Sequence, residues 1–212
     1  MSAEHDSRDD TLAHIHRVCE LLARCRDNLI ARSEVHDASK LEEPEKSAFD
    51  RLKALSLSGM AYGSEEYRAC LRAEKPAIQH HYKANSHHPE FHPRPPTTPT
   101  CIMLRAAADE MEATAKAAVG SAETQEINAL LDLAKFDRAT ADQLESEVNG
   151  MSLFDVLEML MDWKAATERM KDGGDIHRSL EINTERFKIS PQLASILANT
   201  IREMQWPKPT VK

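Results

Sequence analysis

The chain has 212 residues, of which 41% are hydrophobic and 29% are charged, a composition typical of a globular protein with room for one domain. A formal net charge of -8 argues against duplex nucleic acid as a partner, because such binding depends on basic side chains that neutralise phosphates. No apolar run is long enough to span a bilayer and the polar, acidic N-terminus lacks a secretory pattern, so we expect a cytoplasmic protein without a membrane partner.

Hydrophobic residues recur with the period of an α-helix along most of the chain, and the alternation typical of strands is absent, so we predict an all-α fold. The predicted helices lie, in chain order, at about 10–31, 45–57, 64–72, 76–86, 101–119, 122–135, 138–148, 151–171, 175–187 and 190–205. We expect a turn at Gly59–Gly63 and an extended, proline-rich segment at 92–100. The glycines of Asp172–Gly174 are predicted to end the helix that precedes them.

Eight of the ten histidines lie between positions 14 and 92, and histidine is both a common metal ligand and an acid–base group. In the first helix, a rotation of about 100° per residue puts His14 on the same arc as Val18 and Leu21. We therefore predict that His14 faces the interior and that His16 faces solvent. A single inward histidine is more often a hydrogen-bonded core residue than a ligand, so it is the other histidines that favour a metal here.

The adjacent pair His36 and Asp37 follows the first helix and is flanked by Val35 and Leu41. An imidazole and a carboxylate from consecutive residues can bind one ion or bridge two. Lys40 lies one turn later on the same face, where its charge could bind a phosphate. The alternative is an acidic helix start beside a solvated histidine.

The segment 80–91 contains four histidines within nine residues. His81, Asn85 and His88 fall at i, i+4 and i+7, the spacing of one helical face, although we expect Pro89 to end the helix before His88. His80 and His87 are also seven residues apart, but on a face rotated by about 100°, so the second ligand could be either His87 or His88. The alternative is a polar helix end whose histidines share no role.

The predicted helix at 151–171 is apolar on nearly all sides, which indicates a buried helix. Asp155, Glu158 and Asp162 nevertheless form one stripe along it, and buried carboxylates need a partner. That partner could be a metal, histidines held by a metal, or basic side chains of a neighbouring helix. Basic side chains are a reasonable partner for Asp155, whose charge also suits a helix start, and a less natural one for Asp162.

Four short motifs, taken together, resemble the HD superfamily of metal-dependent phosphohydrolases, and in particular an uncharacterised bacterial and phage branch. The motifs are H-x-x-x-V, H-D-x-S-K, H-x-x-x-N-x-H-H and E-M-x-x-D-W, which stand here at His14–Val18, His36–Lys40, His81–His88 and Glu158–Trp163. The resemblance implies a compact multi-helix bundle as a single domain over 1–212. The stretch 93–149 looks longer than in such relatives, and we interpret it as a helical insertion that could cover the site, form a homodimer interface or select the substrate.

The resemblance also implies a ligand set around one or two divalent ions, with Mn, Co, Zn, Mg, Ni or Fe as candidates. His36, Asp37 and Asp162 would be the core ligands of a first metal. The remaining candidates, which would complete that site or hold a second metal, are His14, His81, and His87 or His88. Lys40 and Asn85 would contact a small phosphorylated substrate, and Lys40 would also neutralise charge during the reaction.

Our leading hypothesis is hydrolysis of a phosphate ester, most naturally a nucleotide, by a metal-activated water. Glu158, or a histidine that binds no metal, would serve as the general acid or base. A second hypothesis is a di-iron oxygenase acting on a small polar substrate, since relatives of the HD fold with six ligands and a lysine after the His-Asp pair carry out this chemistry, and six candidate ligands are present here. A third is a non-enzymatic module that binds a metal or a ligand.

Overall fold

The computed structural model of the chain describes residues 6–57, 64–120, 122–169, 174–206 and 208. Across these ranges the regular elements are helices and no strand is present, which confirms the predicted all-α fold. The α-helices are α1 Arg8–Val35, α2 Glu45–Leu57, α3 Glu65–Ala73, α4 Lys75–Ala84, α5 Pro99–Ala117, α6 Thr124–Leu144, α7 Leu153–Glu168, α8 Ile176–Phe187 and α9 Pro191–Glu203. Short 3₁₀ turns occupy Ala38–Leu41, Pro89–Phe91 and Glu147–Gly150. The chain divides into two compact units, Met1–His81 and Tyr82–Lys212.

Most helix bounds agree with the predicted ones, and the differences have local causes. Ser64 caps α3 as expected, because its hydroxyl accepts from the backbone N–H of Tyr67 at 3.2 Å. The two pieces predicted at 122–135 and 138–148 form one helix, α6, since no glycine or proline interrupts them. The predicted turn at Gly59–Gly63 lies outside the described residues, and of the predicted glycine stop only Gly174 is described.

The first unit contains α1, α2, α3 and most of α4, with little apolar material in its interior. Its buried residues include Ala48 and Ala77 together with the side chains of Glu45 and His81. α1 contains no buried residue, and Leu22 in its middle is 63% exposed. The first unit therefore has a small core in which ionisable groups are prominent.

The prediction that His14 faces the interior is wrong. Both His14 and His16 are exposed on α1, so the predicted contrast between them does not exist. The helical angle identified correctly which residues share an arc with His14, namely Val18 and Leu21. These are also exposed, at 40% and 44%, so the arc is not a buried face.

In the second unit, α5 and α6 pack together through small side chains. Ala108 and Ala115 of α5 and Ala134 and Ala141 of α6 are buried, which lets the two backbones approach closely. Charged groups flank this contact: Arg105 contacts Asp142 and Glu145, and Arg138 contacts Asp109 and Glu112. The stretch predicted as an insertion, 93–149, thus contains this helix pair.

The main hydrophobic core of the second unit is formed around α7 by α8, α9 and the segments next to them. It consists of Val148, Val156, Met159, Leu160, Trp163, Ile176, Leu180, Ile189, Leu197 and Ile201. The rings of Trp163 and Phe187 stack with centroids 6.3 Å apart. α7 contributes Val156, Met159, Leu160 and Trp163 to this core, and the acidic stripe lies on the same helix. None of the helices in the described part of the chain combines the length and apolar composition needed to cross a membrane.

Candidate functional site

Asp37 occupies an unusual backbone position directly after α1. Its φ is +57°, in the left-handed region, where glycine is the most common residue and Asp and Asn are the best tolerated alternatives. The chain leaves α1 through His36 and enters the 3₁₀ turn Ala38–Leu41 immediately after Asp37. The sequence thus places a carboxylate at a helix end where the backbone alone would favour glycine.

The two carboxylate oxygens of Asp37 face different groups of the first unit. Oδ1 lies 3.4 Å from Nε2 of His81, whereas Oδ2 lies 3.6 Å from Nε2 of His36 and 2.5 Å from Nζ of Lys40. The Lys40 ammonium also sits 4.9 Å from the centre of the Phe49 ring. The predicted residues of the His-Asp motif and His81 are therefore neighbours, with Asp37 between the two imidazoles.

Burial and the charges of this cluster shift the pKa values of Asp37 and His81. Burial alone would raise the pKa of Asp37, but the hydrogen bond and the charge of Lys40, with smaller effects of His36 and His81, bring it below its usual value. Burial lowers the pKa of His81, and the nearby Lys40 charge lowers it further. Near neutral pH the arrangement favours an ionised carboxylate on Asp37 and an uncharged imidazole on His81.

Glu45, at the start of α2, anchors His81 from the other side of its ring. The Glu45 side chain is fully buried, and its Oε2 accepts from Nδ1 of His81 and from the hydroxyl of Ser39, each at 2.9 Å. Its Oε1 accepts from Nδ1 of His80 at 2.8 Å. Sequence reasoning missed Glu45, because an acid in the first turn of a helix is ordinarily explained by the helix dipole.

The second unit contributes the His87–His88 pair. The two rings lie 4.2 Å apart, and the ring of His88 also lies 4.9 Å from that of Tyr82. His87 is 2% exposed, and its Nδ1 lies 3.1 Å from Oε1 of Glu158 on α7. A buried histidine thus meets a carboxylate in the second unit as well.

The predicted helical face of His81, Asn85 and His88 does not form. α4 ends at Ala84, and the backbone carbonyl of Asn85 accepts from the N–H of His88 at 3.1 Å in the turn that follows. Pro89 then begins a 3₁₀ turn. The helix ends before the predicted Ser86 and, as expected from Pro89, before His88, so the i, i+7 spacing does not place His88 on the face of His81. Asn85 lies half-buried beyond the helix end.

The acidic stripe on α7 is present, and its three members have different surroundings. Asp155 is buried and caps the helix with Ser152 in a reciprocal capping box. Asp155 also accepts a hydrogen bond from the Ser86 hydroxyl at 2.6 Å. These contacts cap α7 and tie it to the segment that contains Ser86, which is a structural role. Glu158 contacts His87, and Asp162 lies half-buried one turn later on the same helix.

The first unit provides a direct test of whether its residues fit a metal ion. Two ligand atoms each about 2.1 Å from one tetrahedral ion lie about 3.4 Å apart, the separation of His81 Nε2 and Asp37 Oδ1. Imidazole nitrogen and carboxylate oxygen are also ligands that zinc, manganese, cobalt and iron accept. His14, by contrast, joins no group of potential ligands among the residues that the structure describes.

Comparisons with known proteins give no fold or activity by similarity. No curated protein and no solved structure matches the chain. The resemblance to the HD superfamily therefore stays a prediction from the sequence motifs. A family model does match residues 3–203, and the chain accordingly belongs to that family, which is described as a family of unknown function (DUF5662).

Proposed function

We propose that this protein is a metal-dependent phosphohydrolase that binds a divalent cation through Asp37 and His81. The sequence motifs also predict His36, His87, His88 and Asp162 as metal ligands. The observation that carries the proposal is the 3.4 Å separation of His81 Nε2 and Asp37 Oδ1. A phosphate ester of a nucleotide is the proposed substrate class, and the HD-type helical bundle the proposed fold family.

The electrostatics of the first unit support a cation at Asp37 and His81. The Glu45 carboxylate can only accept, so the hydrogen bond at 2.9 Å places the proton of the neutral His81 ring on Nδ1. Nε2 then carries a lone pair that faces the ionised Oδ1 of Asp37. An imidazole nitrogen and a carboxylate oxygen are both ligands that divalent metals accept, and their 3.4 Å separation suits one ion between them.

When bound, a divalent cation supplies a water of lowered pKa and polarises a phosphoryl oxygen. Lys40 keeps Asp37 ionised through their 2.5 Å contact and adds positive charge beside it, which suits an anionic substrate. In the second unit, the contact of Glu158 with Nδ1 of His87 gives that imidazole a carboxylate partner. The pair can hold a proton at Nδ1 and exchange it during general acid–base catalysis.

A di-iron oxygenase is the second candidate, and a different observation favours it. The two oxygens of Asp37 point to different imidazoles, Oδ1 to His81 and Oδ2 to His36. A carboxylate whose oxygens face separate nitrogen ligands is suited to bridging two metal ions. Iron content and oxygen consumption with small polar substrates distinguish this activity from hydrolysis.

The test begins with elemental analysis of the purified full-length protein, followed by a screen of phosphorylated compounds with added Mn²⁺, Co²⁺, Zn²⁺, Mg²⁺ or Ni²⁺. We expect bound metal and release of phosphate from at least one nucleotide, both abolished in Asp37→Ala. Full phosphatase activity in Asp37→Ala would refute the assignment. Bound iron with oxygen uptake and no phosphate release would favour the oxygenase, and metal with no turnover would favour a binding module.

A further inference from the structure

Glu45 is the most deeply buried carboxylate in the described part of the first unit, with no exposed surface. Its oxygens accept from three donors: Ser39 and His81 at Oε2, each at 2.9 Å, and His80 at Oε1, at 2.8 Å. An ionised carboxylate is costly to bury unless several donors compensate it. The three hydrogen bonds therefore join α2, the 3₁₀ turn Ala38–Leu41 and α4 around one carboxylate.

The hydrogen bond from His81 determines which nitrogen of that ring is available. The ring donates Nδ1–H to Glu45, so Nε2 is left as the electron-pair donor, and Nε2 is the nitrogen that lies 3.4 Å from Asp37. Histidines that bind metals commonly donate their second nitrogen to a carboxylate, which fixes the tautomer and the ring orientation and raises ligand basicity. Glu45 stands in that relation to His81.

We propose that Glu45 is a positioning residue that presents Nε2 of His81 to a divalent cation. The inference depends on the metal-binding part of the proposed function and not on phosphate-ester hydrolysis. His80 shares the same carboxylate but is 53% exposed, so it offers an internal comparison. Removing His80 leaves Oε2 and its bond to His81 in place, whereas removing Glu45 takes away the anchor of the ring.

The first experiment requires no substitution. Long-range ¹H–¹⁵N correlation spectra of the metal-free, full-length protein report which nitrogen of each neutral imidazole carries the proton. We expect His81 to carry it on Nδ1. A His81 ring protonated on Nε2 alone would overturn the proposal, even if every Glu45 variant failed to fold.

The second experiment compares Glu45→Gln with Glu45→Leu. Glutamine keeps a carbonyl oxygen that can accept from His81 and Ser39, whereas leucine fills a similar space without an acceptor. We expect Zn²⁺ and Mn²⁺ affinity, measured by competition with a chelator, to fall by roughly 10–100-fold in Glu45→Leu. Glu45→Gln should retain more of that affinity, with His81 still protonated on Nδ1. Wild-type affinity in a folded Glu45→Leu protein would overturn the proposal.

His80→Ala is the matched control, and we expect its metal affinity to stay close to that of the wild type. An equal loss in His80→Ala and Glu45→Leu would indicate a general effect of the cluster on folding and would overturn the specific role of Glu45. Metal binding that depends on Glu45 without any phosphatase activity would support the positioning role while refuting the proposed reaction. A wild-type protein that binds neither ion would overturn both.

Discussion

Nδ1 of His87 lies 3.1 Å from Oε1 of Glu158, and the histidine of this pair is almost entirely buried. Each unit thus contains a buried histidine whose Nδ1 meets a carboxylate, since His81 and Glu45 have the same relation in the first unit. The two carboxylates differ in exposure, because Glu158 is 15% exposed and Glu45 is fully buried. A side chain that exchanges protons needs access to solvent or substrate. The partial exposure of Glu158 is therefore compatible with acid–base chemistry, and the full burial of Glu45 with a positioning role.

The Glu158→Gln variant should still bind metal but should hydrolyse the phosphate ester much more slowly. Because glutamine cannot take up a proton, we expect kcat to fall by roughly 10²–10⁴-fold, with one limb of the pH–rate profile lost. Steady-state kinetics on the metal-loaded enzyme and elemental analysis of the same sample measure the two effects. The matched control is Glu168→Gln, at an exposed acid of the same helix, which should leave both unchanged. Loss of metal from Glu158→Gln would instead make Glu158 an anchor of His87.

Asp37→Asn should separate the backbone requirement at this position from the charge. Asparagine tolerates a φ of +57° as well as aspartate does, so the helix end should fold normally. The variant lacks the anionic ligand, and we expect metal affinity to fall by more than the roughly 10–100-fold typical of outer-shell partners. Calorimetric titration with Zn²⁺ or Mn²⁺ measures this loss.

The control for this change is Asp50→Asn, at an exposed carboxylate that pairs with Lys46 on α2. Its metal affinity should match that of the wild type. Circular dichroism of the metal-free proteins verifies that both variants keep their helices. The assignment of Asp37 as a ligand would be wrong if Asp37→Asn bound either ion as tightly as the unchanged protein.

Lys40→Met should raise the pKa of Asp37 in the metal-free protein. Burial raises that pKa and Lys40 opposes it, so without the ammonium burial dominates. The pKa of Asp37 is lower in the folded wild-type protein than in the unfolded chain. The Asp37 carboxylate therefore stabilises the fold at pH values above its unfolded-state pKa, and this stabilisation is lost as the pH falls through its folded-state pKa. Lys40→Met should reduce that contribution.

Carbon-detected NMR titration of the Asp37 carboxyl measures this shift directly. The His81 pKa should rise in the same variant, because Lys40 lowers it in the wild type. Lys46→Met, which removes a lysine paired with the exposed Asp50, should leave both groups unchanged. An unaltered Asp37 titration in Lys40→Met would show that the ion pair does not control this carboxylate.

Glu145→Gln should make the second unit less stable at neutral pH but not at low pH. Hydrogen bonds from Arg105 and then Thr97 lower the pKa of Glu145 to about 2. Because the pKa of Glu145 is lower in the folded state, the ionised carboxylate stabilises the fold above the ordinary value of 4.5. This stabilisation is lost as the pH falls toward 2. The difference in unfolding free energy between wild type and variant should therefore shrink over that window.

Denaturant unfolding at a series of pH values measures that difference. Asp132→Asn, at an exposed α6 acid that pairs with Lys135, should show a small effect at every pH. A wild-type advantage over Glu145→Gln that stays constant down to pH 2 would contradict the assigned role of the Arg105 contact.

Sequence periodicity by itself determined the all-α class and most helix bounds of this protein, because these depend on interactions within a few residues of the chain. α2 at Glu45–Leu57 and the Ser64 cap of α3 are such local features. The placement of Glu158 and Asp162 on one face of α7 is local too, since residues at i and i+4 on a helix are neighbours.

Only the tertiary structure decided which of these groups meet. Glu45 bonds to His80 and His81, 35 and 36 positions away, and no local spacing encodes a contact at that separation. His14 is an example of a local pattern that tertiary packing does not bury. It shares a helical arc with apolar residues, but such an arc is buried only where other elements pack against it. Burial and long-range hydrogen bonding depend on the packing of distant segments, and for that reason the anchor of His81 was not evident in the sequence while the His-Asp motif was.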